Sequence, residues 1–330
     1  MPQNRTLRIA AALVAASVPF ALLPAVSAGT KERPSGLVFL PNPVVTLQDQ
    51  GLEDQNDADY PALAGAYQVV RLRNLDHSGY LRGDWADVCG TTCAFSGRER
   101  YFYDRSETGF EQVMAYYAVT KAQRYLRSLG FTDVNDEPQT VKIRAGFDNS
   151  FFDTVKDELQ FGKGGVDDAE DMEIIWHEYG HAIQVDQVPG FGESQDALAI
   201  GEGFADYWAY TMSAPVSGGY DPACIADWDA VSYAVGEPHC LRRVDLDLTM
   251  ADRIGESHHD GQIWSRALYE IHQELGRTKA DTIIITSHFG FAVDAPFEDA
   301  AQATVDAARA LYGQNEANVV ADAFEARGIL

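Results

Sequence analysis

Apolar residues recur at helical spacing through most of the second half of the chain. Ile174, Ile175, Tyr179, Ala182 and Ile183 form a stripe that predicts a helix over residues 171–185. Asp167, Asp168, Glu170 and Asp171 stand at its front end, where the helix dipole favours acids. The same period predicts helices over 196–212, 261–275, 297–311 and 316–326. Nearer the start, residues 110–129 read as a helix with Val113, Met114, Tyr117 and Ala122 inward, stopping at Gly130. Alternation of period two predicts a strand over 141–145 leading into Asn149, and residues 67–76 followed by 79–83 read as a hairpin. Residues 282–286 carry strand propensity. The polar stretch 29–59, rich in proline and aspartate, reads as a linker, a short prosegment or an edge segment.

Residues 1–28 interrupt this picture with a targeting pattern. Arg5 and Arg8 precede an apolar run over 9–23, and Val26-Ser27-Ala28 forms a small-residue cleavage site. This reads as a signal peptide and implies a secreted, extracellular protein. The run is short and alanine-rich for a membrane span, and no later stretch approaches about 20 uninterrupted apolar residues. The formal charge is −25, and cleavage after Ala28 removes two cations and no acid, leaving −27. So acidic a surface argues against nucleic-acid and anionic-membrane partners. Four cysteines suit an oxidising compartment, and proximity favours Cys89 with Cys93 and Cys224 with Cys240 among three possible pairings. A zinc site built from the four is the competing reading, but C-x3-C and C-x15-C lack ribbon spacing.

The predicted helix over 171–185 carries His177-Glu178-Tyr179-Gly180-His181. Histidines four apart lie one above the other on a helix face, so both imidazoles can reach one zinc ion. Glu178, beside them, is placed to accept a proton from water. A third ligand is available in Gly201-Glu202-Gly203-Phe204-Ala205-Asp206-Tyr207, where helical spacing puts Glu202 and Asp206 one turn apart. Two histidines and Glu202 leave a fourth position open, as catalytic rather than structural zinc requires. Asp206 can then accept the second ring N–H of a ligand histidine.

These segments together resemble the gluzincin metallopeptidases, most closely fungalysin and more distantly thermolysin. Asn149-Ser150-Phe151-Phe152 is similar to the edge strand that holds the substrate backbone in thermolysin-like enzymes. His258-His259-Asp260-Gly261 resembles the fungalysin stretch in which a histidine three residues before a glycine opens a helix, and residues 297–329 resemble that family's closing helices. The likeness runs from about residue 110 to the end. It implies an α+β fold of two lobes, β-containing at the N-terminal side and mainly helical at the C-terminal side, with the zinc helix between them. The expected division is 1–28 signal peptide, 29–105 β-rich extension or prosegment, 106–186 first catalytic lobe and 187–330 helical lobe. It also implies a helix over 282–286, against local propensity.

What the resemblance implies for function is a zinc endopeptidase, monomeric, acting on polypeptides. His177, His181 and Glu202 would hold Zn2+, with Glu178 as general base, Asp206 behind the metal and Asn149, Ser150 and Phe151 pairing with substrate. The family's tyrosine between the second histidine and the ligand glutamate is missing, since 182–201 holds none. By its offset from Gly261, His258 takes the role of facing the oxyanion, with His259 as runner-up. His77, His239, His272 and His288 have no motif around them. Ca2+ is a second candidate cofactor, because Asp167, Asp168, Glu170, Asp171 and Glu173 crowd one helix end and thermolysin-like enzymes use calcium. An acid-rich helix start is the plainer reading of those residues. The family likeness suggests a hydrophobic side-chain preference. Two other readings compete: a catalytically silent zinc-binding adhesion protein, suggested by the missing tyrosine and the absence of a large propeptide, and a zinc aminopeptidase, which needs an acidic anchor near the edge strand.

Overall fold

Six elements built around short strands come first. The chain forms β1 (Ser35–Val38), α1 (Pro43–Leu47), β2 (Gln68–Arg71), β3 (Ala86–Cys89), β4 (Arg100–Tyr101) and the long helix α2 (Phe110–Ser128). The computed structural model describes residues 33–330 apart from 144–146 and 235, so the expected signal peptide over 1–28 lies outside the described residues. β1 sits between antiparallel β2 and parallel β4. Residues 67–76 therefore do not fold back on 79–83 as the alternation predicts. Of that hairpin a single bridge remains, Leu75 with Gly83, because β1 offers β2 a better surface. Val38 and Phe39 are fully buried, and Gly36 lies so close to α2 that a Cβ there would meet Val113 at 2.5 Å. Residues 35–45 of the stretch read as a linker, prosegment or edge segment thus pack into the core and supply the centre of a sheet, while most of 48–59 stays at the surface.

The second sheet has the order β3-β5-β7-β6, with β5 (Gln139–Ile143), β6 (Phe151–Asp153) and β7 (Glu158–Phe161). β3, β5 and β7 run parallel, and α2 forms the crossover from β3 to β5 that parallel pairing demands. The strand expected over 141–145 ends at Ile143, and Ala145 falls outside the described residues. β6 runs antiparallel to β7 and forms an edge, so one side of its backbone is open.

Helices dominate from there on: α3 (Met172–Gln187), α4 (Gln195–Ser213), α5 (Ser257–Leu275), α6 (Arg277–His288), α7 (Phe297–Leu311) and α8 (Gln314–Ala326), interrupted by the two-residue strands β8 (Cys224–Ile225) and β9 (Arg242–Arg243). Residues 282–286 are helical despite three successive isoleucines. A helix lets Ile283, Ile284 and Ile285 all be buried and aims Asp281 at Tyr207 and at Thr211 Oγ1, 2.9 Å away. Packing overrides propensity here. On α2 the inward tyrosine is Tyr116, whose hydroxyl donates to Arg73 O at 2.8 Å, while Tyr117 is half-buried. The disulfides are Cys89–Cys93 and Cys224–Cys240, the pairings that proximity favours.

α3 is buried along most of its length. Trp176 Nε1 donates to Ala118 O at 3.1 Å and the Tyr179 hydroxyl to Gln123 Oε1 at 2.9 Å, fixing α3 on α2. The acids ahead of α3 are buried too, and each has been given a partner. Arg105, itself buried, sets Nε 2.9 Å and 3.0 Å from the two oxygens of Glu170 and stacks over Trp228. Lys163 joins Glu111 and Asp167. Asn42, from the supposed linker, donates to Asp171 at 3.1 Å and Asp227 at 2.6 Å. Removing one partner of a buried ion pair strands the other charge. Arg105→Met should therefore cost about 3–5 kcal/mol, read from the urea midpoint, and Arg105→Met with Glu170→Leu should recover part of that loss.

Candidate metal centre and cleft

α3 turns two imidazoles toward α4. His177 Nε2 and His181 Nε2 lie 3.3 Å apart, and Glu202 on α4 places Oε2 3.3 Å from the first and Oε1 3.8 Å from the second. Donors around a tetrahedral zinc with bonds of ~2.0–2.2 Å stand roughly 3.3–3.5 Å from one another. The three residues fit the ion. Glu202 Oε2 is also buried and accepts no hydrogen bond, which suits an oxygen whose partner is a cation.

Glycines set this crossing. A Cβ on Gly203 would meet Gly261 O at 2.3 Å, and one on Gly261 would meet Ala199 O at 2.8 Å. α4 and α5 can touch backbone to backbone only because both positions lack a side chain. The contact brings His258, on the first turn of α5, to within 3.5 Å of Glu202 Oε2 through its Nε2. α5 begins at Ser257 rather than Gly261, capped by Glu256, which accepts from the His258 and His259 amides. The same carboxylate holds His258 Nδ1 at 2.7 Å, so Nε2 faces the cleft. His259 turns to Asp260 instead, at 3.2 Å.

Behind the metal position, His177 Nδ1 lies 2.8 Å from Asp206 Oδ1. Asp206 is fully buried and bound on its far side by Arg242, at 2.7 Å and 2.8 Å. Arg242 is the functional residue that sequence reasoning missed. Its signal was weak, an arginine two positions after Cys240, but that cysteine staples the β8–β9 hairpin that delivers it. Burial would raise Asp206, yet Arg242 and His177 hold it at about 2. For His177 burial is outweighed by Asp206 and Glu202, which push it up to about 10. His181 has no such carboxylate behind it, and burial takes it down to about 4. Burial is opposed at Glu202 by the two imidazoles, which keep it below the usual carboxylate range. Glu178, buried beside them, is pushed by burial up to about 7.

The cleft runs between β6 and the helices. Asn149, Ser150, Phe151 and Phe152 line one wall, His177, Glu178 and His181 the floor, and Leu198, Glu202 and His258 the other wall. The remaining histidines lie elsewhere: His77 pairs with Glu99, His239 with Gln50, His272 with Tyr207 and His288 with Gln187.

Similarity to known proteins follows the same lines. A solved structure, the precursor of protealysin, a metalloproteinase from Serratia proteamaculans, aligns with TM-score 0.61 at 16% identity, covering 89% of this chain and 99% of that one. The fold is thermolysin-like. Residues 237–329 match the family described as thermolysin metallopeptidase, alpha-helical domain. A gelatinase of Enterococcus faecalis is 27% identical over 203 residues, and a zinc metalloproteinase of Listeria monocytogenes 26% over 197. These alignments cover 56% and 55% of this chain, which spans 38% of the length of each relative. Together the matches are to metallopeptidases of the thermolysin type, and one relative is named a zinc metalloproteinase.

In a thermolysin-like centre with these contacts, His181→Ala should abolish stoichiometric zinc retention. Asp206→Asn, which keeps shape but loses charge, should weaken zinc binding about 10–100-fold in a competitive chelator titration.

Proposed function

We propose that this chain is a secreted zinc endopeptidase. The observation that carries the reading is the convergence of His177, His181 and Glu202 at zinc-ligand spacing beside a buried Glu178 and an open-edged strand. Secretion rests on the pattern of residues 1–28, and among the described residues no helix is long and apolar enough to cross a membrane. The fungalysin likeness rests on the sequence segments alone, whereas the thermolysin type is supported from sequence and fold together.

When bound, zinc would polarise the scissile carbonyl and acidify water at that position. Glu178 takes the proton of the attacking water and returns it to the leaving amine. The open edge of β6 receives the peptide in extended form, with Asn149 and the Ser150 and Phe151 backbone as partners. His258 Nε2, in its protonated form, donates toward the developing oxyanion and stands in for the missing tyrosine; a donor of this kind contributes about 3 kcal/mol. Arg242 and Asp206 keep His177 oriented. The silent adhesion reading is disfavoured by retention of Glu178, which neither zinc binding nor folding requires.

Asp171, Glu173 and Asp227 are candidates for a Ca2+ site. Their donor atoms lie within 4.8 Å of one another, all three are buried, and Asp227 Oδ2 has no hydrogen-bond partner. Of the five acids first considered, Asp167 and Glu170 are instead neutralised by Lys163 and Arg105. Millimolar calcium should raise the unfolding midpoint, and Asp227→Asn should remove most of that increase.

The decisive assay is cleavage of unfolded casein. Wild type should cut and lose activity to a chelator, and Glu178→Gln should keep stoichiometric zinc while losing turnover by a factor of at least about 10³. Wild type that binds zinc yet cuts no faster than Glu178→Gln would sink the peptidase reading.

A further inference from the structure

A second cavity of about 270 Å³ opens from the cleft on the Arg242 side of Glu178. Its lining includes Ile174 and Leu241, and besides Glu178 three further carboxylates, Asp148, Asp168 and Asp229. Asp168 and Asp229 are each 3% exposed, and each has a buried Oδ1 with no hydrogen-bond partner. The other oxygen of Asp168 accepts from the Ser150 hydroxyl and from Gly162 N. Asp148 is exposed and accepts from the Tyr233 hydroxyl. Arg242, in the lining, has its guanidinium spent on Asp206, and the imidazoles of His177 and His258, which also line the cavity, are engaged by Asp206 and Glu256.

A wholly apolar side chain would meet Ile174 and Leu241 but leave the carboxylates without a partner. Two buried carboxylates with unused lone pairs are costly unless a donor or a cation meets them. Asn149 and Asp148 are exposed and His258 is half-exposed, while Asp168 and Asp229 are buried, so an occupant must reach inward to meet those two. Long side chains with an apolar stem and a charged head do this. Among the described residues these three acids do not converge as Asp171, Glu173 and Asp227 do, which argues for a spread-out donor group rather than a bare metal ion.

We propose that this cavity is a specificity pocket for a lysine or arginine side chain flanking the scissile bond. The amine or guanidinium meets Asp168 and Asp229, with Asp148 at the mouth, while Ile174 and Leu241 cover the stem. The proposal rests on the peptidase reading for its orientation and departs from the hydrophobic preference that the family likeness suggests. It also supplies the acid near the edge strand that an aminopeptidase would need. Burial at depth favours a long side chain over a terminal amine, and the test separates the two.

The experiment uses N-acetylated peptides that differ at one internal position, lysine, arginine, leucine or glutamate, with cut sites read by mass spectrometry. Zinc-loaded wild type should cut beside lysine and arginine with kcat/KM at least about tenfold above leucine, as expected for close charge pairs. Asp168→Leu should reverse that ratio while zinc content and unfolding midpoint stay within the wild-type range. Equal or better cleavage beside leucine in wild type overturns the pocket, as does a lysine-to-leucine ratio that Asp168→Leu leaves unmoved. Cleavage restricted to peptides with a free N-terminus, whatever their side chain, overturns it in favour of an amine anchor. Loss of the preference on adding millimolar calcium assigns the carboxylates to a metal and also overturns it. If no peptide is cut, the peptidase reading fails separately, and binding of the same peptides to wild type decides the pocket. At least about tenfold tighter binding of the lysine peptide than of the leucine peptide supports it, and equal binding refutes it.

Discussion

Everything in this molecule depends on keeping ionisable groups buried around α3 without stranding any of them. The helix carries two imidazoles and a carboxylate on one side, and a run of acids leads into its first turn. In a low-dielectric interior each of these is a liability until a partner arrives from another element. The fold answers them one at a time: Arg105 for Glu170, Lys163 for Asp167, Asn42 for Asp171, and Asp206 with Arg242 for His177. Lys163 is local, four residues before Asp167, but the other partners come from distant parts of the chain.

The same bookkeeping separates catalytic from structural polarity. Groups that are fully answered hold the scaffold in place. Among the buried side-chain atoms without a hydrogen-bond partner, Glu202 Oε2, Asp227 Oδ2, and Oδ1 of Asp168 and Asp229 lie at the candidate metal centre, at the candidate calcium cluster or at the second cavity, while others such as Glu111 Oε2 and Trp208 Nε1 lie in the scaffold. An unused lone pair points to an outside partner only where it stands beside a cavity or a cluster of donors.

Dependence on backbone contact gives the site its precision. Gly203 and Gly261 allow α4 and α5 to meet without side chains between them, which fixes Glu202 against His258. The Cys224–Cys240 disulfide does comparable work for Arg242, holding a two-residue hairpin that could not stand alone. The proposed ligand set, donor histidine and positioning arginine thus come from four elements, α3, α4, α5 and β9, joined by short constraints rather than by one motif.

The sequence by itself determined what depends on spacing along one element. His177, Glu178 and His181 share a helix face because four residues make about one turn, and Glu202 and Asp206 do so for the same reason. Most helices followed from apolar periodicity, though not the first turn of α5 nor α6, and the disulfides followed from proximity. Tertiary structure alone decided what depends on partners far away in sequence. It paired β2 with β1 rather than with 79–83, turned the isoleucine run at 283–285 into helix, and brought Asn42 and Arg242 to carboxylates whose need for them local pattern does not encode. It also split one acidic run three ways, to cations, to a carboxylate cluster and to the wall of a cavity. Charge in sequence says only that acids are present; burial and neighbours decide what each is for.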